Sequence, residues 1–462
     1  MSNFWDFSVW AWINTFAVLL GSLLVGNMLK RSIPFLRDSL TPTSVIGGII
    51  LLIVAAIYKA ITGEVMFDTA AFGTNGTAHL EIITYHALAL GFIASSFKTT
   101  NSKLTKKRSV EIFNTGVTTV STYLLQGILG LGITILVTFI IKDFFAAAGV
   151  LLPFGYGQGT GQALNYGTIY EVEHGFVGGK SFGLTIAALG FLSASIGGVI
   201  HLNVMKKRGR IVLSNRSDGS THSEEVDPEG EIPLQESIDK FTVQVALIIV
   251  AYVATYLLMF LLGNLLPGMR SVIYGFNFLL GVLTATIIKL VMNFLHKKQI
   301  IHRRYTNNFL MTRASNFFFD LMVVAGVAAI RLDILESSWG VILILGAVGA
   351  VSTFIYNRFV AKKLFPEYYE EQFIMMYGML TGTASTGIIL LREIDGEFKT
   401  PASDNMVYQN FPAIVFGFPM MFLATLAPTK PYLVFIIFVL FFAGMNVLLF
   451  RSKIFKKNSK KR

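Results

Sequence analysis

The chain has 462 residues, of which 53% are hydrophobic and 14% charged; it has no cysteine and a formal net charge of +11. Soluble domains carry roughly a quarter charged residues, so this composition belongs to a polytopic membrane protein. The lack of cysteine removes disulfides, thiolate metal sites and cysteine nucleophiles together. The positive excess lies in short runs between apolar segments, which reads as a topology signal with some attraction to anionic lipid and not as a nucleic-acid surface.

Apolar runs close to the ~20 residues needed to cross a bilayer core predict spans at 8–29, 43–62, 80–97, 112–141, 181–204, 241–266, 272–295, 314–331, 338–358, 405–426 and 431–450. The first reads as a helix and not as a cleavable signal peptide, because Val9 to Leu29 is long enough to span and the charges Lys30 and Arg31 follow it. Basic residues cluster after the first span (Lys30, Arg31, Arg37), the third (Lys98, Lys103, Lys106, Lys107, Arg108) and the fifth (Lys206, Lys207, Arg208, Arg210). They cluster again after the seventh (Lys297, Lys298, Arg303, Arg304, Arg313) and in the tail from Arg451. The alternate loops are poor in Lys and Arg or mixed: Lys59 with Glu64 and Asp68, Arg270 alone, Arg331 with Asp333 and Glu336, Lys430 alone. The positive-inside rule then predicts a multi-pass plasma-membrane protein with its N-terminus outside and its C-terminus in the cytoplasm.

Two Gly/Thr-rich stretches interrupt this pattern, Gly155-Tyr-Gly-Gln-Gly-Thr-Gly-Gln-Ala163 and Gly378-Met-Leu-Thr-Gly-Thr-Ala-Ser-Thr-Gly387. A broken backbone at membrane depth is tolerated only where it is buried in protein or lines a polar cavity, and a matched pair of breaks in two halves points to the site of a secondary transporter. The charge alternation holds only if neither stretch crosses, so each is expected to be a re-entrant hairpin, the first at about 146–172 from outside, the second at about 372–395 from the cytoplasm.

The expected fold is thus an all-α polytopic membrane protein built from two inverted repeats of five transmembrane helices, each with one re-entrant hairpin, plus an extra C-terminal helix. Residues 1–204 form the first repeat, 205–240 a polar cytoplasmic linker, 241–426 the second repeat, and 427–462 the extra helix and a basic tail. Weak internal similarity supports the repeat: the third span ends Gly91-Phe-Ile-Ala-Ser-Ser96 and the eighth Gly326-Val-Ala-Ala-Ile330, each before a charge.

The motif Tyr156-Gly-Gln-Gly-Thr-Gly161, with a following helix that ends Gly197-Gly198-Val199-Ile200, resembles the first hairpin region of sodium/glutamate symporters, and Leu380-Thr-Gly-Thr-Ala-Ser-Thr386 resembles their second. The resemblance covers most of residues 8–426 and is loose outside the hairpins. It implies two inverted five-span repeats, a homodimer, and sodium-driven glutamate uptake by elevator-type movement. The chain departs from that pattern at Gln158, where His is frequent, at Ser385, where Pro is usual, at Asp320, where a small hydroxyl residue is common, and in its eleventh span. Another amino acid or organic anion is therefore an alternative substrate.

The chemistry suits such a cargo. Half-helix N-termini offer free N–H groups to a carboxylate, and free carbonyls at C-terminal ends suit Na⁺. The candidate binding residues are Gly157, Gln158, Gly159, Thr160, Gly161, Thr381, Gly382, Thr383, Ala384, Ser385 and Thr386. Their glycines admit close backbone approach and their hydroxyls can serve either partner; the competing reading is that Gly and Ser/Thr simply let helices pack closely. Arg392 either pairs with a distal carboxylate or forms an interface-level salt bridge with Glu393, Asp395 and Glu397. Asp320, inside an apolar span, is a candidate for cation or proton coupling, or a structural partner of a base such as Arg313. His86 and Gln126 read first as interhelical hydrogen-bonding residues.

No cofactor beyond Na⁺ as coupling ion, no bound metal and no enzymatic reaction is expected. Gly175-Phe-Val-Gly-Gly-Lys-Ser181 is one residue short of a phosphate-binding loop with no preceding strand, and neither metalloprotease spacing nor Gly-x-Ser-x-Gly occurs. The rival readings are the same machine coupled to protons, or a channel whose hairpins form a filter.

Overall fold

The computed structural model describes residues 3–38, 40–98, 105–211, 238–301, 305–335, 338–396 and 399–454. The interior of the expected linker (212–237) and the end of the basic tail (455–462) lie outside them, as do Lys103, Arg303, Arg304, Glu336 and Glu397.

The first half runs through helices α1 (Phe7–Ser32), α2 (Pro34–Asp38), α3 (Thr43–Thr62), α4 (Gly76–Phe97), α5 (Lys106–Val137), α6 (Leu151–His174) and α7 (Gly179–Lys207). The second continues with α8 (Lys240–Leu265), α9 (Arg270–Gly275), α10 (Asn277–Lys297), α11 (Asn308–Ala328), α12 (Trp339–Leu364), α13 (Tyr369–Thr381), α14 (Ala384–Arg392), α15 (Ala402–Tyr408), α16 (Asn410–Leu426) and α17 (Pro431–Leu449). No strand occurs among the described residues, and ten of their helices are long and apolar enough to cross a membrane. On α8, α10 and α17 large apolar side chains face outward, with Leu257, Leu290 and Leu440 each more than half exposed. Apolar helices of this length suit lipid and not water. The chain is an all-α, multi-pass membrane protein.

Ten expected spans coincide with these helices. The remaining expected span, 405–426, is instead a pair, α15 and α16, bent by 50°. Pro412 gives the reason: it has no N–H for the Tyr408 carbonyl and its ring crowds that carbonyl.

The chain divides into two compact units, one formed by Met1–Glu81, Leu104–Ser214 and Val323–Arg462, the other by Ile82–Lys103 and Asn215–Met322. In the second unit Ile93, Ala94 and Phe97 pack with Ile248, Ala251, Ala285 and Met311. His86 sits there, its Nδ1 2.6 Å from the Tyr252 hydroxyl, in the interhelical role expected of it.

In the first unit α5 is the axis. Its buried face is polar as well as apolar, with Thr115, Thr118, Thr119, Thr122 and Gln126 all essentially inaccessible. The four threonines bond back to carbonyls one turn earlier, so their hydroxyls are satisfied within an apolar setting. At the α5 N-terminus Lys107 pairs with Glu367 at 2.8 Å and Arg108 donates to Pro401 O at 3.3 Å. At its C-terminus Thr134 donates to Ala146 O at 2.6 Å and accepts from the Gly149 N–H at 3.2 Å.

Two loops of this unit also meet. Asp333 accepts from Arg331 Nε and Nη2 at 3.1 and 3.0 Å and lies 2.6 Å from Lys59 Nζ, while Arg331 also approaches Asp68 at 3.9 Å. These are the two mixed loops that charge counting assigned to one side. Hydrogen bonding from Arg331, opposed by partial burial and reinforced by Lys59, lowers the Asp333 carboxyl from its ordinary 3.8 to about 2. Because the folded value lies below the unfolded one, the stabilisation is complete above about pH 4 and is lost as pH falls through about 2. Asp333→Asn should therefore destabilise the purified protein by roughly 1 kcal/mol or less at neutral pH, with the difference in melting temperature closing on acidification toward pH 2. A difference that stays constant with pH would contradict this ion pair.

Candidate functional site

The chain folds back on itself twice within the first unit. In α6 the residue Gly159 has φ 75° and ψ −169° inside an otherwise helical run. Phe154 and Tyr166 stack with ring centroids 3.6 Å apart, and Phe145 contacts the rings of Tyr170 and Phe176. A straight helix would hold residues 154 and 166 about 18 Å apart, so the arms before and after Gly159 run antiparallel. Its φ falls where a side chain is strained, in a region that with this ψ is essentially glycine's alone.

The second fold-back is α13 and α14, broken at Gly382 and Thr383. Gly378 and Gly387 face each other across the arms so closely that a Cβ on Gly378 would lie 2.9 Å from the Gly387 Cα. Thr383, extended at φ −138° and ψ 169°, caps α14 by accepting from the Thr386 N–H at 3.4 Å.

The two breaks lie side by side. A Cβ built on Gly159 would lie 3.6 Å from Thr383 Cγ2 and 4.0 Å from Gly382 O. Both lie against the middle of α5, where Tyr123 donates to Gly157 O at 3.0 Å and Gln126 Nε2 donates to Leu380 O at 2.9 Å and to Thr353 Oγ1 at 2.8 Å. Each α5 residue thus satisfies a carbonyl left over at the C-terminal end of a first arm. From Lys107 to Tyr123 is about 24 Å along the axis, and from Tyr123 to Thr134 about 17 Å. The base of the first fold-back is held at one end of α5, that of the second at the other, and the breaks meet between them.

α7 supports both arms from a second direction. Tyr156 donates to Gly346 O at 2.6 Å and lies 2.9 Å from Ser193 Oγ, while Tyr377 donates to Ser193 O at 3.1 Å. The Gly197-Gly198 pair is where Tyr377 and Leu390 of the second fold-back pack against α7.

Of the residues named from the sequence, Gly157, Gly159, Thr160, Gly161, Thr381, Gly382 and Thr386 are buried at or beside the breaks, Gln158 and Thr383 are half-buried, and Ala384 is exposed. Thr160 packs on Gly326 of α11. Ser385 lies in the first turn of α14, and its side chain is outside the described positions. Arg392 is exposed at the last turn of α14, about 13 Å along the helix from Thr383. Asp320 is exposed on α11, in the other compact unit.

Sequence reasoning passed over Tyr123, Ser193 and Tyr377, which carry no motif, and read Gln126 only as a bonding residue between helices. It also left out Gln162, although that residue belongs to the first Gly-rich stretch. Gln162 is 1% exposed, and neither its Nε2 nor its Oε1 has a hydrogen-bond partner. Oε1 of Gln126 is similarly unpaired.

The electrostatics follow from the breaks. Two helical arms end here with carbonyl oxygens and two begin with N–H groups, so partial negative and partial positive ends converge. Such a place can hold a cation on one set and an anion on the other. Among the described residues no group of three or more His, Asp or Glu is arranged to hold a metal ion. Comparison of the chain with protein-family models gave no match, and none came from a search of curated proteins.

Two substitutions test this construction. Gly159→Ala should lower the melting temperature through backbone strain on the order of 1–3 kcal/mol, although the added methyl itself has room. Gln126→Leu leaves Leu380 O buried without its donor and should cost about 1–3 kcal/mol. Unchanged thermal midpoints in both would refute the geometry of the two breaks.

Proposed function

We propose that this chain is a sodium-coupled secondary transporter, a symporter that takes up L-glutamate or a similar anionic amino acid by alternating access. One observation carries the reading: two backbone breaks in an apolar protein, Gly159 and Gly382–Thr383, lie side by side. Unsatisfied backbone groups inside a hydrocarbon layer are too costly to keep unless they have a partner, and a carboxylate-bearing cargo with Na⁺ supplies partners for both kinds of end.

In this reading the two fold-backs are re-entrant hairpins that enter from opposite faces of the plasma membrane. Their anchorage at opposite ends of α5 supports that view. The order α1, α3, α4, α5, α6, α7 is repeated by α8, α10, α11, α12, α13 with α14, and α15 with α16, which supports an inverted repeat with α17 as the extra helix. A homodimer, with the N-terminus outside and the C-terminus in the cytoplasm, belongs to the same reading.

The mechanism uses no covalent chemistry. Na⁺ and substrate bind together at the paired breaks, the bound carrier exposes them to the cytoplasm, and the ion gradient sets the direction. The membrane potential contributes about 2.3 kcal/mol per net charge per 100 mV, so Na⁺ in excess of substrate charge strengthens uptake. Gln158, Thr383 and Ala384, the least covered positions of the tips, are the side from which cargo reaches the site.

The test is uptake of labelled L-glutamate into proteoliposomes under an inward Na⁺ gradient, with K⁺ as control and unlabelled acids as competitors. Accumulation that requires Na⁺ and is competed best by glutamate is the expected result. Uptake driven by a pH gradient alone would overturn sodium coupling and direct attention to Asp320. Ion current far above substrate flux would overturn the carrier in favour of a channel.

A further inference from the structure

Gln162 occupies the first turn of the second arm of α6, three residues beyond the Gly159 break. One and two turns further on, on the same face of the helix, Tyr166 stacks on Phe154 of the first arm and donates to Met421 O at 2.7 Å, and Tyr170 donates to Ala424 O at 2.7 Å, so this face looks onto the first arm and α16. With Phe154 opposite Tyr166 across antiparallel arms, Gln162 falls opposite Gln158, just beneath the turn. Long helical side chains lean toward the N-terminus of their helix, which here is the break itself. The residue therefore lies within one turn of the break, 99% buried, with both ends of its carboxamide unpaired.

A glutamine at this third helical position can reach back to the N–H of the capping residue, as in a capping box; this one does not. Buried polar groups without partners are rare in folded proteins and call for an explanation. An orphaned carboxamide is poor design for stability, since an apolar side chain of the same size would fill the space at lower cost.

Resting on the transporter reading above, we infer that Gln162 is a substrate-binding residue that selects α-amino acids over plain dicarboxylates. Its Nε2 donates to a substrate carboxylate and its Oε1 accepts from the neighbouring ammonium, a pairing that the zwitterionic head of an amino acid completes. Glutarate, with the same carbon chain and no amine, leaves Oε1 unpaired. A site built to hydrogen-bond a polar group rejects the analogue that lacks it, because its own polar atoms then stay buried and unsatisfied.

The experiment compares the wild-type chain, Gln162→Leu and Gln162→Asn in proteoliposomes and in detergent. Gln162→Leu should melt above the wild type without substrate, because an orphaned amide has been replaced by an apolar group. It should raise the KM for L-glutamate at least tenfold, and glutamate's advantage over glutarate as a competitor should shrink by a similar factor. Gln162→Asn keeps the amide and should retain part of that advantage. An active wild type beside a Gln162→Leu variant of unchanged KM and unchanged competitor ratio would overturn this inference and leave the transporter reading intact. So would a Gln162→Leu variant that melts below the wild type, because the amide would then be structural. A wild type without Na⁺-driven glutamate uptake would overturn both.

Discussion

Everything at the centre of this molecule follows from the cost of interrupting a helix among apolar neighbours. A continuous helix satisfies its own backbone, whereas a broken one exposes carbonyls at one end and N–H groups at the other. This chain breaks two helical runs and brings the breaks together. Two of the exposed carbonyls are accounted for by α5, through Tyr123 to Gly157 O and Gln126 to Leu380 O. The polar buried face of α5 is otherwise hard to explain in so greasy a protein. Its threonines bond back to their own helix, Thr115 and Thr119 also meeting Gln372 and Gln409, and Tyr123 and Gln126 reach outward at the level where the breaks lie.

The first fold-back is also locked by its own aromatic interior, with Phe154 against Tyr166 and Phe145 against Tyr170 and Phe176. The second is held by the close approach of Gly378 and Gly387, and by Tyr377 bonded to Ser193 of α7. α5 and α7 therefore hold the two tips from different directions. Among the buried groups left without protein partners is the Gln162 carboxamide, within one turn of the first tip. Arms locked in this way, with an unpaired carboxamide beside one tip, suit a site whose last partners arrive with the cargo.

Much of this was legible in the sequence because it is one-dimensional. Span positions follow from the length of apolar runs, and the Gly/Thr clusters announced breaks because no uninterrupted helix would use them. Glycine at 326, noted for its place in a weak internal repeat, turns out to seat Thr160. The bend at Gln409 was missed because a single proline, Pro412, decides it within an otherwise apolar run. What sequence could not reveal is which side chains cross from one helix to another. Tyr123 and Gln126 belong to no motif, and their partners are more than thirty and more than two hundred residues away respectively. Charge drew attention to Asp320 and Arg392 because ionisable residues in apolar runs stand out. The structure puts Asp320 on α11 and Arg392 at the last turn of α14, and an uncharged glutamine, Gln162, lies within one turn of the first break.

The central claim is that the two breaks form one binding site, and the lack of cysteine allows a clean probe of it. Single cysteines introduced as Gln158→Cys and Ala384→Cys would each be the only thiol in the protein, one on each tip and neither fully buried. Their rates of reaction with a polar thiol reagent would be measured in membranes, without cargo and with L-glutamate plus Na⁺. The account predicts that cargo and Na⁺ together slow the reaction at both positions, and that K⁺ in place of Na⁺ does not. Protection at one position with the other unchanged would contradict a shared site, and so would protection at neither.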